Sequence, residues 1–146
     1  MDDFSEMLNA NVDGWSAAMG LRFVRATADE VVAEWTIGRE HRQAYGIVHG
    51  GVYSGVIETL ASVGAALNAL KDGRSVVGLE NSTSFLHAVR EGTLRATATP
   101  VVRGRRTHVW EARVEDERGR LVATGRVRLL CLEAETSLAG KKVGID

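Results

Sequence analysis

Cysteine occurs once in this chain, at Cys131, so neither an internal disulfide framework nor a cysteine-rich zinc site is available. The four histidines, His41, His49, His87 and His108, show no metal-ligand spacing, and no metal site is expected. An excess of charge of either sign is missing too. A net charge of −1 gives no bulk electrostatic footing for nucleic acid or a membrane surface, and neither is expected as a partner. No run of 18 apolar residues is free of glycine clusters and charge, so no membrane span is expected. The first residues, MDDFSEML, are acidic where a targeting segment is basic, which makes the cytoplasm the expected compartment. A GxSxG nucleophile turn is absent, because Tyr53-Ser54-Gly55 lacks the preceding glycine.

What is present is an ordinary globular composition: 146 residues, 45% hydrophobic and 25% charged. That length fits one domain, able to bury roughly two thirds of its unfolded surface. The domain is expected over residues 1–132, with a tail over 133–146 that shows no periodicity.

The chain is organised around residues 46–70, GIVHGGVYSGVIETLASVGAALNAL. At 100° per residue, Val52, Tyr53, Val56, Ile57, Leu60, Val63, Leu67 and Leu70 share one broad face of a helix over 51–70. The opposite face holds Gly51, Ser54, Gly55, Glu58, Ser62, Ala65, Ala66 and Ala69. Average composition would put roughly six charges in the whole stretch 46–70; it has one, Glu58. A helix apolar on one side and small on the other is buried nearly all round. A carboxylate on its small face is costly unless it is paired or used.

Around this helix the pattern is mostly strand-like. Residues 4–15 have helical spacing, and 21–27 and 30–37 read as two strands. After Lys71-Asp72-Gly73, four β-rich runs follow (75–86, 93–103, 107–115 and 121–132), read as an antiparallel meander. Pro100, the single proline, marks a bulge or an edge. The expected architecture is α+β, one antiparallel sheet wrapped around the long helix, with the bulky helix face on the sheet and the small face outward. A small, uncharged outward face favours association with a second copy.

Gly50-Gly51 at the start of the helix offers backbone N–H groups and the positive end of the helix dipole, suited to a phosphate or a carbonyl oxyanion. The bland alternative is a tight loop-to-helix turn. Glu58 lies about two turns on, roughly 11–12 Å along the axis, too far to share a substrate carbonyl with Gly50 of the same chain. A composite site between two copies satisfies the spacing. His49 is either a base or a hydrogen-bonded structural group, and Ser62, one turn past Glu58, can bond to the carboxylate or to a water. Arg103, Arg105 and Arg106 share one turn, which reads either as a phosphate contact or as a solvated hairpin tip.

The pieces Gln43-Ala-Tyr-Gly-Ile-Val-His49-Gly-Gly51, Glu58-Thr-Leu-Ala-Ser62, Asn81-Ser-Thr-Ser-Phe85, Glu91-Gly92 and Asp116-Glu-Arg-Gly-Arg-Leu121 together resemble the hotdog-fold acyl-CoA thioesterases. The nearest branch in pattern is the phenylacetate-pathway and Arthrobacter-type 4-hydroxybenzoyl-CoA thioesterase group. The resemblance covers about residues 15–132. It implies that Glu58 is the catalytic carboxylate, as nucleophile or general base, and that the Gly50 N–H polarises the thioester. It implies supporting roles for Gln43, His49 and Ser62, and substrate contacts from Gly51, Thr83, Arg103, Arg105 and Arg106. Coenzyme A is then part of an aromatic or medium-chain acyl-CoA substrate, no separate cofactor is needed, and the assembly is a homotetramer built as a dimer of dimers. His87-Ala88 departs from the Arg-Pro of many relatives. Rival readings are a hotdog acyl-thioester dehydratase and a non-catalytic acyl-CoA-binding module.

Overall fold

The apolar stripe at residues 51–70 folds as one long helix, Gly50–Ala69, closed by a 3-10 turn at Leu70–Asp72 and by Gly73 at a left-handed φ of 64°. The computed structural model describes residues 1–143. Before the long helix, α3, come two short helices, α1 (Ser5–Ala10) and α2 (Gly14–Ala18), and two strands, β1 (Arg22–Ala26) and β2 (Val31–Thr36). After it come β3 (Ser75–Phe85), β4 (Thr93–Arg103), β5 (Thr107–Glu115) and β6 (Leu121–Leu132). All six strands form one antiparallel sheet in the order β1-β2-β4-β5-β6-β3. This is the hotdog fold: a sheet wrapped on a central helix.

The core lies between the two. Val56, Ile57 and Leu60 of α3 meet Leu94, Trp110, Val114, Val127 and Leu129 of the sheet, all fully buried. Each such aliphatic or aromatic side chain contributes about 1.5–3 kcal/mol relative to exposure. Gly64 lets the Trp110 ring of the sheet pack directly on α3, because a Cβ there would collide with that ring.

Four expectations need correction. The helix over residues 4–15 is two helices, because Gly14 takes a left-handed φ of 57° and the Asn11 amide donates back to Met7 O. The meander contains only β4, β5 and β6; β3 crosses over to pair with β6, while β4 pairs with β2. The seven residues joining β3 to β4 are too many for a tight turn. They run across the end of the sheet, where Leu86 N–H donates to Val122 O and Val89 O accepts from Val48 N–H.

The small face of α3 is not simply outward. Ala65 and Ala69 are buried, the Trp15 ring of α2 covers Gly55, and β3 lies against Ser54 and Glu58. Within the described part of the tail, a two-strand hairpin, β7 (Ser137–Leu138) and β8 (Lys141–Lys142), turns through Ala139 and Gly140 at φ 50° and 82°. Residues 144–146 of the expected tail lie outside the described residues.

Pro100 behaves as read. The β4–β5 register shifts between Pro100 and Val102, and β2 pairs with β4 only as far as Ala98, so the proline has no neighbour on that side needing its N–H.

Candidate active site

His49 ends the extended loop before α3 and caps the helix: its Nδ1 accepts the Gly51 N–H at 2.8 Å. The imidazole therefore carries its proton on Nε2, and Nδ1 is engaged as an acceptor. Of the two glycine amides expected to be free, the Gly51 N–H is taken. The Gly50 N–H has no acceptor among the described residues. A Cβ at 50 would stand 2.8 Å from Phe85 Cζ, so the glycine lets that ring lie directly against the turn. The loop is held from behind by buried His41, whose backbone carbonyl accepts the His49 N–H and whose Nε2 meets Met19 O at 2.7 Å.

Gln43, His49, Gly50 and Gly51 come together in one open cleft of about 520 Å³, completed by Tyr53, Phe85 and His87 among others. The Gln43 side-chain carbonyl accepts the Tyr45 N–H. Its amide nitrogen has no partner among the described residues and is left as a donor.

Glu58 sits half-buried two turns along α3, facing β3. The β3–β6 register shifts between Gly78 and Glu80, and this bulge turns both Gly78 and Asn81 toward the helix. Gly78 provides the space that the carboxylate fills: a Cβ there would overlap Glu58 Oε2. Asn81 Nδ2 donates to Ser54 O at 2.9 Å and lies 3.4 Å from Glu58 Oε1. Thr83 Oγ1 donates to Asn81 Oδ1 at 2.6 Å, which fixes the amide with its NH2 toward α3. Thr83 thus supports Asn81, with its hydroxyl hydrogen already committed. Gly78 carried no signal in the motif reading, although a glycine inside a strand is itself a mark of a bulge or a close approach.

Ser62 makes no hydrogen bond to Glu58; it borders an apolar groove of about 370 Å³ with Met7, Leu8, Val63 and Val76. The arginine turn joins β4 to β5 at the far end of α3, beside Arg74, whose guanidinium donates to Arg105 O at 2.7 Å. A 20-residue helix puts that turn roughly 30 Å from Gly50 of the same protomer. Arg103 is engaged by Asp29 at 2.6 Å, whereas Arg105 and Arg106 are exposed and make no ion pair among the described residues. No group of three or more His, Cys, Asp or Glu among the described residues is placed to hold a metal ion.

The model of the family described as "Thioesterase superfamily" matches residues 45–123, which span the Gly50 turn, Glu58 and the β3 cradle. The chain belongs to the thioesterase superfamily. Rv1847 of Mycobacterium tuberculosis, named only provisionally as an esterase, is 40% identical over 87% of this chain and 91% of its own length. The proofreading thioesterase EntH of Cronobacter turicensis is 34% identical over 84% of this chain and 89% of its own. Among solved structures, AziG of S. sahachiroi superposes with a TM-score of 0.81 at 40% identity, covering 84% of this chain and 99% of that one. This thioesterase superfamily member is a thioester hydrolase, and none of its described helices is long and apolar enough to cross a membrane.

Proposed function

We propose that this thioesterase hydrolyses an aromatic or medium-chain acyl-CoA to the free acid and coenzyme A, at a site shared by two copies of the chain, with Glu58 as its carboxylate. The observation that carries the reading is the division of one helix: a free Gly50 N–H at its positive end, and its single carboxylate two turns on, against β3. The thioester oxygen takes the Gly50 N–H, where charge develops as the carbonyl is attacked. Either Glu58 attacks the carbonyl carbon, the C–S bond breaks, and water later cleaves the anhydride, or Glu58 takes a proton from the water that attacks. Both routes release coenzyme A as its thiol.

β3 pairs with β6 on one side only, and its other edge is open along 11 residues, with Leu79 47% and Phe85 59% exposed. Such an edge invites a second strand. Antiparallel pairing of β3 with its copy, about a two-fold axis near Asn81 and Ser82, places the Phe85–Gly50 end of one chain across from the Gly78–Glu58 region of the other. It also brings the Arg105 and Arg106 turn of the Glu58-bearing copy to the Gly50 end, where the phosphates of coenzyme A would meet it. We extend the proposal to a dimer of dimers, to membership of the phenylacetate-pathway and Arthrobacter-type group, and to a cytoplasmic location.

Glu58→Gln tests the role of the carboxylate, with thiol release followed over a panel of acyl-CoAs. The expected outcome is a kcat lower by orders of magnitude with little change in KM. Turnover near that of the unmodified protein would reject it.

A further inference from the structure

The seam between α3 and β3 continues past Glu58. Asn81 meets Ser54, Gly78 makes room for the Glu58 carboxylate, and one turn further on the seam opens into the groove of about 370 Å³ bordered by Ser62, Ala66 and Val76. None of the described residues that line it is ionisable. Its far end is held by the tail. After the β7–β8 hairpin the chain returns to the start of β3, where the Ser75 hydroxyl donates to Val143 O at 3.1 Å and the Val143 N–H donates to Thr136 O at 3.3 Å. Val143 thereby joins Leu67 in the groove lining, fixed by its backbone although the residue is 38% exposed.

We infer that Val143 is a specificity-determining residue: it closes this groove and so sets the longest straight acyl chain that the protein takes. The inference rests on the proposed acyl-CoA reading, in which the pairing of β3 with its copy sets the other copy's Gly50 cleft beside Glu58, at the head of the groove. A chain whose carbonyl lies at Glu58 then runs along α3 toward the tail. Leu67 stands nine residues past Glu58, about 13 Å along the axis. A hydrocarbon with bonds of about 1.5 Å advances about 1.25 Å per carbon, so about ten carbons fill that length. Each methylene laid against apolar walls raises kcat/KM about fourfold. Activity therefore climbs with chain length until the chain meets Val143, and carbons past it find a clash instead of a wall.

The test measures kcat/KM, by thiol release, for straight-chain acyl-CoAs from butanoyl to hexadecanoyl in two-carbon steps, with benzoyl-CoA alongside. In the unmodified protein kcat/KM rises to about decanoyl-CoA and falls beyond it about tenfold or more. Val143→Ala moves the peak to longer chains and Val143→Trp to shorter ones. Butanoyl-CoA, which does not reach the tail, is cleaved equally by all three proteins, and their melting temperatures agree because the residue lies outside the core. A length profile that is flat, or identical in all three, overturns the inference and leaves the acyl-CoA reading in place. So does cleavage of benzoyl-CoA with no straight chain cleaved. A changed elution volume of either variant in size-exclusion chromatography, with the length profile unmoved, places a second copy in the groove and likewise overturns it. Absence of thiol release from every substrate by the unmodified protein overturns the acyl-CoA reading, and the inference with it.

Discussion

Gly78→Ala should separate the placement of the Glu58 carboxylate from the stability of the fold. A methyl group at 78 would stand 3.2 Å from Glu58 Cδ and nearer still to Oε2. Carbon atoms in good contact are about 3.5–4.0 Å apart, and the overlap at the oxygen is larger, so the carboxylate must retreat by roughly 1 Å. It can do so, because Glu58 is half-buried and ends a flexible side chain. The backbone has no reason to yield: Gly78 is not among the positive-φ glycines, so alanine is tolerated there. Alanine also loses less chain entropy than glycine in a strand, a gain of roughly 0.5–1 kcal/mol. A 1 Å displacement of a reacting group costs about a hundredfold in rate. The expected variant has an unchanged or slightly raised melting temperature, a kcat about a hundredfold lower, and a KM near that of the unmodified protein. Thermal unfolding and thiol-release kinetics on the same sample measure all three. Unchanged kcat with unchanged stability would refute the reasoning, because the carboxylate's position would then not matter to turnover.

Stability should fall as the pH drops below about 6.5, in part through His108. Burial first, then Arg103 and Arg74, hold this imidazole below its ordinary value, and its Nδ1 accepts the Trp110 N–H at 3.2 Å. The unfolded chain then takes up a proton that the native state refuses. The loss approaches about 1.4 kcal/mol per pH unit for a single site, starting near the unfolded value and continuing down to the native one. His108→Asn keeps an acceptor for Trp110 but cannot titrate, so urea midpoints between pH 7 and 5 should fall less steeply; equal slopes would remove His108 as the source. Cys131 is buried, and burial pushes its thiol up while Arg74 pulls the other way. It should resist alkylation at pH 8 in the native protein and react in urea, and rapid native labelling would contradict that burial.

The fold was legible because one signal dominated. Helical spacing over 51–70, a single charge within it and β-rich runs on both sides leave few ways to cover a sheet. Strand order was less legible, because β3 and β4 read equally well as neighbours until the link between them is seen to run across the sheet end. Within the site, the one-dimensional pattern identified the groups that a helix positions: Gly50 at its start and Glu58 two turns on. It missed those positioned by the sheet. Gly78 and Asn81 are three residues apart and would face opposite ways in a regular strand; only the bulge between Gly78 and Glu80 brings both to Glu58. The same limit explains the glycine amides. HGG offers two donors by sequence, and the His49 rotamer, which no spacing encodes, decides that Gly51 is capped and Gly50 is free. A helix carries its chemistry at intervals that can be counted, whereas a bulged edge strand carries it in a register that depends on its partner. The groups that steady the carboxylate are therefore those that a second strand on the free side of β3 would disturb first.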